Sequence, residues 1–268
     1  MMTLEEQKVL FEEQGFLIVE NLLSSEMVEQ CRKEIVRLHH VAAELETKGE
    51  PASGTFQREP YTDGANREDG LPVLRKVENT RKYSTVFRDL SYHPKLMVAV
   101  QNLIGEDLLL FRSTLMLKPA FHGSAHGLHQ DSAYWPMEPP KLVTVSIALN
   151  DATPRNGCIK VIPGSHKWGL QEWGHITRDK HETMTDREDV DVSAQTDVPL
   201  SAGSAVCFHS LMVHGSGANM SPNPRNTALY AYFSPEVRYV PQGAHPQEKS
   251  FPVVAGLDGR EELTLVAD

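Results

Sequence analysis

His129 and Asp131, near the middle of the chain, have the types and spacing that a metal ion needs. Alternate side chains of a β-strand point to one face, so this imidazole and this carboxylate are predicted to point at one spot. A third ligand would complete a set of two histidines and one carboxylate, which is typical of ferrous enzymes that activate oxygen. His214, in the run Met-Val-His-Gly-Ser-Gly, is the leading candidate. With it, the three residues predict an oxygenase.

Arg225 adds a second element to this prediction. It lies eleven residues after His214, beyond a turn made by residues 221–224, and a hairpin of that length is predicted to bring it onto the strand beside His214. An arginine grips a carboxylate through two parallel hydrogen bonds. Ferrous oxygenases that use 2-oxoglutarate need this combination, since the keto acid chelates the iron and its distal carboxylate must be neutralised. The residues therefore point to Fe(II), 2-oxoglutarate as co-substrate, and O2.

Other histidines could supply such ligands, because the chain has 12 of them and a His-x-Asp pair is unspecific by itself. His122 and His126 stand in a glycine-containing stretch that predicts a loop, and we expect both to be surface histidines. His166 follows two predicted tight turns, at Asn156-Gly157 and Pro163-Gly164, so its segment is interpreted as structural. We do not expect His166 to be a fourth ligand.

The first part of the chain is predicted to be mainly helical. Predicted helices cover residues 3–14, 25 to about 46 and about 94–104, with a strand over 15–21 between the first two. Thr3 is a candidate N-cap of the first helix, and Ser24 and Ser25 are candidates for the second. The second helix carries an apolar stripe, made of Met27, Val28, Cys31, Ile35, Leu38 and Val41.

Residues 49–71 are rich in Gly, Pro, Asp, Glu and Arg and are predicted to form a loop. A long loop in a compact domain often serves as a lid or binding segment, and solvated disorder is the other interpretation. From residue 108 onward the pattern favours strands. They are predicted at 108–116, 143–149, 158–162, 205–208 and 228–233, with turn residues between them.

Short strands that follow a helical region predict a mainly β fold, a barrel or jelly roll with α-helices on one side. The sequence contains neither an internal repeat nor a visible second domain. One domain is therefore expected over residues 1–268, with a helical part at about 1–105 and a β core at about 106–240.

The composition is that of an ordinary globular protein of 268 residues, 40% hydrophobic and 23% charged. A formal net charge of -10 argues against nucleic-acid or anionic-membrane partners. Cys31, Cys158 and Cys207 form no CxxC pair and are expected to be unpaired thiols. Since the first 16 residues do not form a secretory signal and no apolar run reaches about 20 residues, a cytoplasmic location is predicted. The sequence gives no prediction of oligomeric state.

The chain resembles the phytanoyl-CoA dioxygenase family of Fe(II)/2-oxoglutarate oxygenases in four segments. Each segment alone is a weak indication of the family, but their order and spacing are specific. The resemblance extends over about residues 10–235. The segments are Glu-Gln-Gly-Phe-Leu-Ile-Val-Glu-Asn at 13–21, His129-Gln-Asp131 with Tyr134-Trp135-Pro136, Asn-Gly-Cys-Ile-Lys-Val-Ile-Pro-Gly-Ser-His at 156–166, and His-Gly-Ser-Gly-Ala-Asn at 214–219 with Arg225.

The resemblance implies a double-stranded β-helix core, also called jelly-roll or cupin-like, with iron held by His129, Asp131 and His214. It further implies that Arg225 binds the distal carboxylate of 2-oxoglutarate, with Ser216 hydrogen-bonding beside it.

Lys76 falls where the family places another co-substrate-binding lysine, and Thr114 is expected to line the same region. One departure concerns Ile147, where several members carry tryptophan, and an altered co-substrate wall is expected there.

The reaction implied is hydroxylation of a small organic molecule, with release of succinate and CO2. Asp131 argues against halogenation, because halogenases of the family have a small residue there. Desaturation or ring formation would use the same residues. Tyr134, Trp135 and the 49–71 loop are candidates for shaping the pocket, although Trp135 equally fits a core position.

The residues do not distinguish an acyl-CoA from a lipid, an amino acid, a phosphonate or a secondary metabolite as substrate. Two other classes of function stay open: a non-catalytic jelly-roll binding protein, and a cupin-like zinc or manganese enzyme that uses no keto acid.

Overall fold

In the computed structural model, which describes residues 2–50, 54–174, 176, 180–181, 185, 187–241 and 246–267, the helices precede most of the strands. The α-helices are α1 Leu4–Gln14, α2 Ser25–Thr47, α3 Thr80–Tyr83, α4 Thr85–Leu90 and α5 Pro94–Ile104. The strands are β1 Phe16–Val19, β2 Phe56–Arg58, β3 Leu74–Glu78, β4 Leu108–Lys118, β5 His126–His129, β6 Met137–Glu138, β7 Val143–Ala148, β8 Ile159–Val161, β9 Thr196–Val198, β10 Ala205–His209, β11 His214–Ser216, β12 Arg225–Phe233, β13 Arg238–Tyr239, β14 Glu248–Ala255 and β15 Glu262–Val266.

Local signals explain the predicted helices, which the structure confirms. Thr3 and Glu6 form a reciprocal capping box at the start of α1, and Gly15 ends the helix at φ 80°, a conformation that favours glycine. Ser24 caps α2 through the backbone N–H of Met27. Helix α5 begins with a proline in its first turn.

The largest sheet runs in the order β1-β10-β7-β12-β4-β14-β15, with β3 pairing β4 and β2 pairing β3. One face packs against the helices, where the α2 stripe meets apolar side chains of β4, β7 and β12. Two buried tyrosines tie this face to the helical layer, because Tyr230 donates to the carbonyl of Phe87 at 2.8 Å and Tyr232 to that of Ser91 at 2.9 Å.

A four-stranded sheet, in the order β5-β11-β8-β9, covers the other face of the large sheet. Consecutive strands often belong to different sheets, as β10 and β11 do, which is how a jelly roll is wound. The predicted fold class is therefore confirmed: mainly β with flanking helices around a double-stranded β-helix core. In the described part of the chain, no helix combines the length and apolar character needed to cross a membrane.

Some element predictions were wrong. Residues 56–58, within the predicted 49–71 loop, form the edge strand β2, anchored by the buried Phe56; residues 51–53 of that loop lie outside the described residues. Strands β14 and β15, which extend the large sheet at 248–266, were not predicted. The short edge strand gives too few residues for an alternating pattern to emerge.

Candidate metal centre

A cavity of about 320 Å³ lies between the inner faces of the two sheets. Inward-facing residues of β3, β4, β7 and β12 form one wall, and residues of β5, β8 and β11 form the other. The predicted site residues that line this cavity are His129, Asp131, His214, Arg225, Ser216, Lys76 and Thr114. All the residues expected to bind metal or co-substrate therefore share one space.

His129, Asp131 and His214 converge at one end of this cavity. His129 closes β5 directly opposite His214, which opens β11. Asp131 Oδ1 lies 3.5 Å from His129 Nε2 and 3.9 Å from His214 Nε2, and one ligand atom from each residue lies within 4.8 Å of the others. One ion can therefore be reached by all three residues.

The expectation that His129 and Asp131 share one strand was wrong. Gln130 is still extended, at φ -106° and ψ 131°, but Asp131 already begins a 3₁₀ turn, Asp131–Ala133. The convergence survives because the turn starts only at Asp131, after the strand has set the direction of His129.

A hydrogen bond from Nδ1 to a backbone carbonyl orients each of the two histidine rings for metal binding through Nε2. The Nδ1 atom of His129 lies 2.9 Å from the carbonyl of Gly127, and that of His214 lies 3.0 Å from the carbonyl of Met212. A carbonyl can only accept, so each Nδ1 carries the proton and each Nε2 presents a lone pair to Asp131. This arrangement is typical of metal-binding histidines, and the donor set fits Fe(II).

Asp131 is held from its other side by Thr144 on β7. The Thr144 hydroxyl donates to Oδ2 at 2.9 Å, which leaves Oδ1 facing the two histidines. Burial by itself would raise the pKa of Asp131, but the field of His214 and the contact with His129 outweigh it and lower the pKa to about 2. For His214, burial lowers the pKa to about 4. Near neutral pH the set therefore offers a carboxylate and a neutral imidazole at these positions.

Gln130, between two of the candidate ligands, points away from the cavity and is fully buried. Its Nε2 donates to the carbonyls of Gly169, at 3.0 Å, and Leu211, at 2.8 Å. Its Oε1 accepts from the backbone N–H of Gln171, at 2.9 Å, and from Trp173 Nε1, at 3.1 Å. The side chain therefore joins the end of β5 to the segment that leads into His214.

Arg225 lines the cavity, but it is not on the strand beside His214, and that prediction was wrong. The chain leaves β11 in the smaller sheet and enters β12 in the large sheet, where Arg225 lies opposite Lys118. Its Nε donates to the carbonyl of Gly157 at 2.9 Å, Nη2 donates to the same oxygen, and Nη1 donates to Thr227 Oγ1 at 2.9 Å. The guanidinium is thus positioned across the cavity from β11.

Gly157 must be glycine for this arrangement. Its φ is 80°, and a Cβ atom there would lie 2.3 Å from the carbonyl oxygen of Gly217. The Asn156-Gly157 turn therefore supports the site through its backbone, which agrees with the structural interpretation of the 156–166 segment. His166, in that segment, contacts the carbonyl of Glu12 at 3.1 Å and does not line the cavity.

Lys76, Thr114 and Ser216 also line the cavity, the last on β11 two residues after His214. Lys76 Nζ lies 2.6 Å from Glu78 Oε1, and the Thr114 hydroxyl donates to Glu78 Oε2 at 2.8 Å. The expectation for Ile147 was wrong, because this side chain is fully buried in the core on the helix-facing side of β7. Its neighbour Ser146 faces the cavity instead.

Sequence reasoning missed several cavity residues: Arg75, Arg112, Lys118, Ser146 and His126. His126, expected at the surface, is on β5 with its ring centroid 5.0 Å from that of His129. Lys118 is buried and donates to the carbonyls of Ser124, at 2.5 Å, and Gly217, at 2.6 Å. The missed signal was the alternation along β4, which places Arg112, Thr114 and Lys118 on one face.

Tyr134 and Trp135 line the cavity as expected, and Trp135 also packs in an apolar cluster with Phe111. No residue of the described part of the 49–71 segment lines it. Residues 61–63 and 65–69 line a separate cavity beside α2.

Comparison with known proteins agrees with this geometry. The family model for phytanoyl-CoA dioxygenase (PhyH) matches residues 11–227. The chain is 28% identical over 257 residues to an ectoine dioxygenase of Nocardia farcinica, covering 90% of this chain and 81% of that one. It is 27% identical over 267 residues to human peroxisomal phytanoyl-CoA dioxygenase, covering 96% and 76%.

Solved structures share the fold. The non-heme monooxygenase ThoJ superposes with a TM-score of 0.74 at 24% identity, over 94% of this chain and 84% of that one. The alpha ketoglutarate dependent epimerase SnoN gives 0.70 at 22% identity, over 94% and 98%. At this level of identity the likeness concerns the architecture.

Proposed function

The chain belongs to the phytanoyl-CoA dioxygenase family, and we propose that it is an Fe(II)- and 2-oxoglutarate-dependent dioxygenase that hydroxylates a small organic molecule. One observation carries the proposal. Two histidine Nε2 atoms and one carboxylate oxygen converge in the same cavity as a buried arginine held by backbone and threonine oxygens. The first group suits the metal and the second suits the distal carboxylate of the keto acid.

In this proposal each side chain has a distinct task. His129 and His214 would hold the ion through Nε2 and Asp131 through Oδ1. These three residues would hold the ion from one side, and the rest of the cavity would be left for the co-substrate. When bound, the iron and its keto acid supply the activation of O2, coupled to conversion of 2-oxoglutarate into succinate and CO2.

The co-substrate end of the cavity is cationic and buried. Burial lowers the pKa of Arg225 to about 10, so the guanidinium stays charged near neutral pH. Arg225 binds the distal carboxylate, with Ser216 donating a hydrogen bond beside it, and Lys76 and Thr114 lie farther along the same wall. Apolar wall residues, among them Leu229, exclude water around the reacting groups.

Further parts of the proposal concern the domain, the location and the substrate. We place the catalytic activity in one domain, which is supported by the pairing of N-terminal β1 and C-terminal β14 with the large sheet. A cytoplasmic location is supported by the three buried, unpaired cysteines. The substrate is a small molecule, as the names of the ectoine and phytanoyl-CoA dioxygenases indicate for those relatives.

The test is anaerobic titration of the protein with Fe(II) and then 2-oxoglutarate. We expect a weak visible charge-transfer band that requires both additions, because the keto acid chelates the iron. His129→Ala and Asp131→Ala are expected to lose the band and succinate release. Absence of the band in the unaltered protein would contradict the proposal and favour either a metal enzyme without a keto acid or a binding protein.

A metabolite screen that reads succinate release then identifies the substrate. Mass spectrometry of the product distinguishes the reaction: gain of one oxygen atom indicates hydroxylation, and loss of two hydrogens indicates desaturation or ring formation. An unchanged substrate mass would exclude both.

A further inference from the structure

We propose that the substrate carries an anionic group, a carboxylate or a phosphate, and that Arg112 binds this group on the side of the cavity away from Arg225. This inference rests on the proposed function, because it concerns the molecule that reacts beside the iron. It is carried by the position of Arg112 relative to the candidate ligands, by the charges around it, and by the hydrogen-bond donors it has left.

Strand register places Arg112 level with the metal-binding carboxylate. Arg112 lies opposite Ala231, and Ala231 lies opposite Thr144, whose hydroxyl holds Asp131. Two strand spacings therefore separate Arg112 from Thr144, about 10 Å between Cα atoms. This is a distance that a small molecule can bridge.

Arg225 is far from this position. It lies opposite Lys118, six residues along β4 from Arg112, which corresponds to about 20 Å. The two arginines therefore mark separate regions of one cavity. If Arg225 takes the distal carboxylate of 2-oxoglutarate, Arg112 cannot bind that same carboxylate.

The charges beside Arg112 do not cancel. Arg112 and Lys76 share a single carboxylate, that of Glu78. Burial would raise the pKa of Glu78, but Arg112 and Lys76 lower it to about 2, so this group contributes one full negative charge against two positive ones. Burial, and then the like charge of Arg112, lower the pKa of Lys76, because two cations that share one carboxylate repel each other. An incoming anion would relieve that repulsion.

Hydrogen-bond donors remain available at this position. Arg112 uses Nε toward Glu78, at 3.2 Å, and Thr114, at 3.1 Å, and uses Nη2 toward Glu78. Its Nη1 has no hydrogen-bond partner among the described residues, and the side chain is 28% exposed. Lys76 has one hydrogen-bonded ion-pair contact for its three donors. A planar guanidinium edge with free N–H groups suits a carboxylate or phosphate.

The experiment measures binding of six-carbon probes to the protein loaded with Zn(II) and 2-oxoglutarate, so that no turnover occurs. The probes are hexanoate, hexyl phosphate and hexan-1-ol, and their affinities are read by ligand-observed NMR titration. In the unaltered protein we expect the better anion to bind about tenfold more tightly than the alcohol, as a charge-assisted hydrogen bond predicts. The tighter of the two anions identifies which anionic group the site prefers.

Three variants separate direct contact from general effects. Arg112→Gln should weaken binding of the better anionic probe about tenfold and change the affinity for hexan-1-ol by less than about twofold. Glu78→Gln should tighten binding of the same anionic probe severalfold, because the substitution removes the carboxylate that competes for Arg112. Arg88→Gln is the matched control: this exposed arginine is on α4, in the helical layer, and does not line the cavity. It should change every affinity by less than about twofold.

Equal binding of all three probes to the unaltered protein would overturn the inference. So would a Glu78→Gln variant that weakens the anions as Arg112→Gln does, since that result indicates an ion pair with a purely structural role. The visible band with Fe(II) and 2-oxoglutarate separates the two proposals. If the band forms without any anion preference, the inference about Arg112 is wrong and the proposed function stands; if the preference is seen without the band, the proposed function is wrong.

Discussion

Thr144→Val is expected to weaken metal binding although Thr144 does not contact the ion. The substitution is nearly isosteric and removes the hydroxyl that donates to Asp131 Oδ2 at 2.9 Å. Thr144 is fully buried, so water cannot replace the hydroxyl without a rearrangement. Without it, the carboxylate loses the contact that turns Oδ1 toward His129 and His214.

Two estimates give the size of the effect. A hydrogen bond to a charged group contributes about 1.5–3 kcal/mol. Loss of a partner behind a metal ligand costs about 10–100-fold in metal affinity, which corresponds to about 1.4–2.8 kcal/mol. The agreement leads us to expect a 10–100-fold weaker affinity for Zn(II) or Co(II), measured by competition with a chelator in the absence of 2-oxoglutarate.

Two variants make this test specific. Thr144→Ser keeps the hydroxyl and should restore most of the affinity. Thr227→Val removes a hydroxyl that lines the cavity and accepts a hydrogen bond from Arg225, and it should leave metal affinity unchanged. If Thr144→Val binds metal within about threefold of the unaltered protein while its fold is intact, the positioning role assigned to this hydroxyl is refuted.

Three further predictions concern the co-substrate, the Asn156-Gly157 turn and acid stability. Arg225→Ala should weaken 2-oxoglutarate binding about 10–100-fold with metal affinity retained, measured by titration of the visible band; an unchanged affinity would remove its role. Gly157→Ala should lower the free energy of unfolding, measured by urea denaturation, by about 2 kcal/mol or more. The reasons are the positive φ of Gly157 and the 2.3 Å between the added Cβ and the carbonyl oxygen of Gly217. Burial, then the charges of His166 and Lys141, lower the pKa of His209 from 6.5 to about 4. The unfolded chain therefore binds this proton first, and stability is lost as pH falls from about 6.5 to 4. The unfolding free energy of metal-free protein is measured with urea at about pH 7.5 and 5. His209→Asn should make its decrease between these pH values smaller by on the order of 1–2 kcal/mol. An equal decrease in the variant and the unaltered protein would contradict this assignment.

Local signals made much of the fold predictable. Capping residues located the starts of α1 and α2, Gly15 located the end of α1, and β-favouring patterns located β4, β7 and β12 to within a few residues. The edge strand β2 and the terminal strands β14 and β15 were missed because their stability depends on pairing with distant segments. Such pairing leaves little trace in a short stretch of sequence.

Which face of a strand meets the cavity was harder to predict than the strand itself. On β7, moving the alternation by one residue exchanges Ser146 for Ile147, and the family resemblance pointed to Ile147, which faces the core. On β4, Arg112 and Lys118 share a face with Thr114, but only the position of the second sheet identifies that face as the interior.

Arg225 does line the cavity, although the argument that led to it from the sequence was wrong. The hairpin argument assumed that strands close in sequence pair with each other, so that β12 would lie beside β11. In a jelly roll these strands separate into facing sheets, and His214 and Arg225 meet across the cavity instead. This arrangement suits a chelating co-substrate better than adjacency would. A dicarboxylate that binds the ion at one end needs its cation at a distance along the molecule, and facing sheets provide that separation with rigid backbone on both sides.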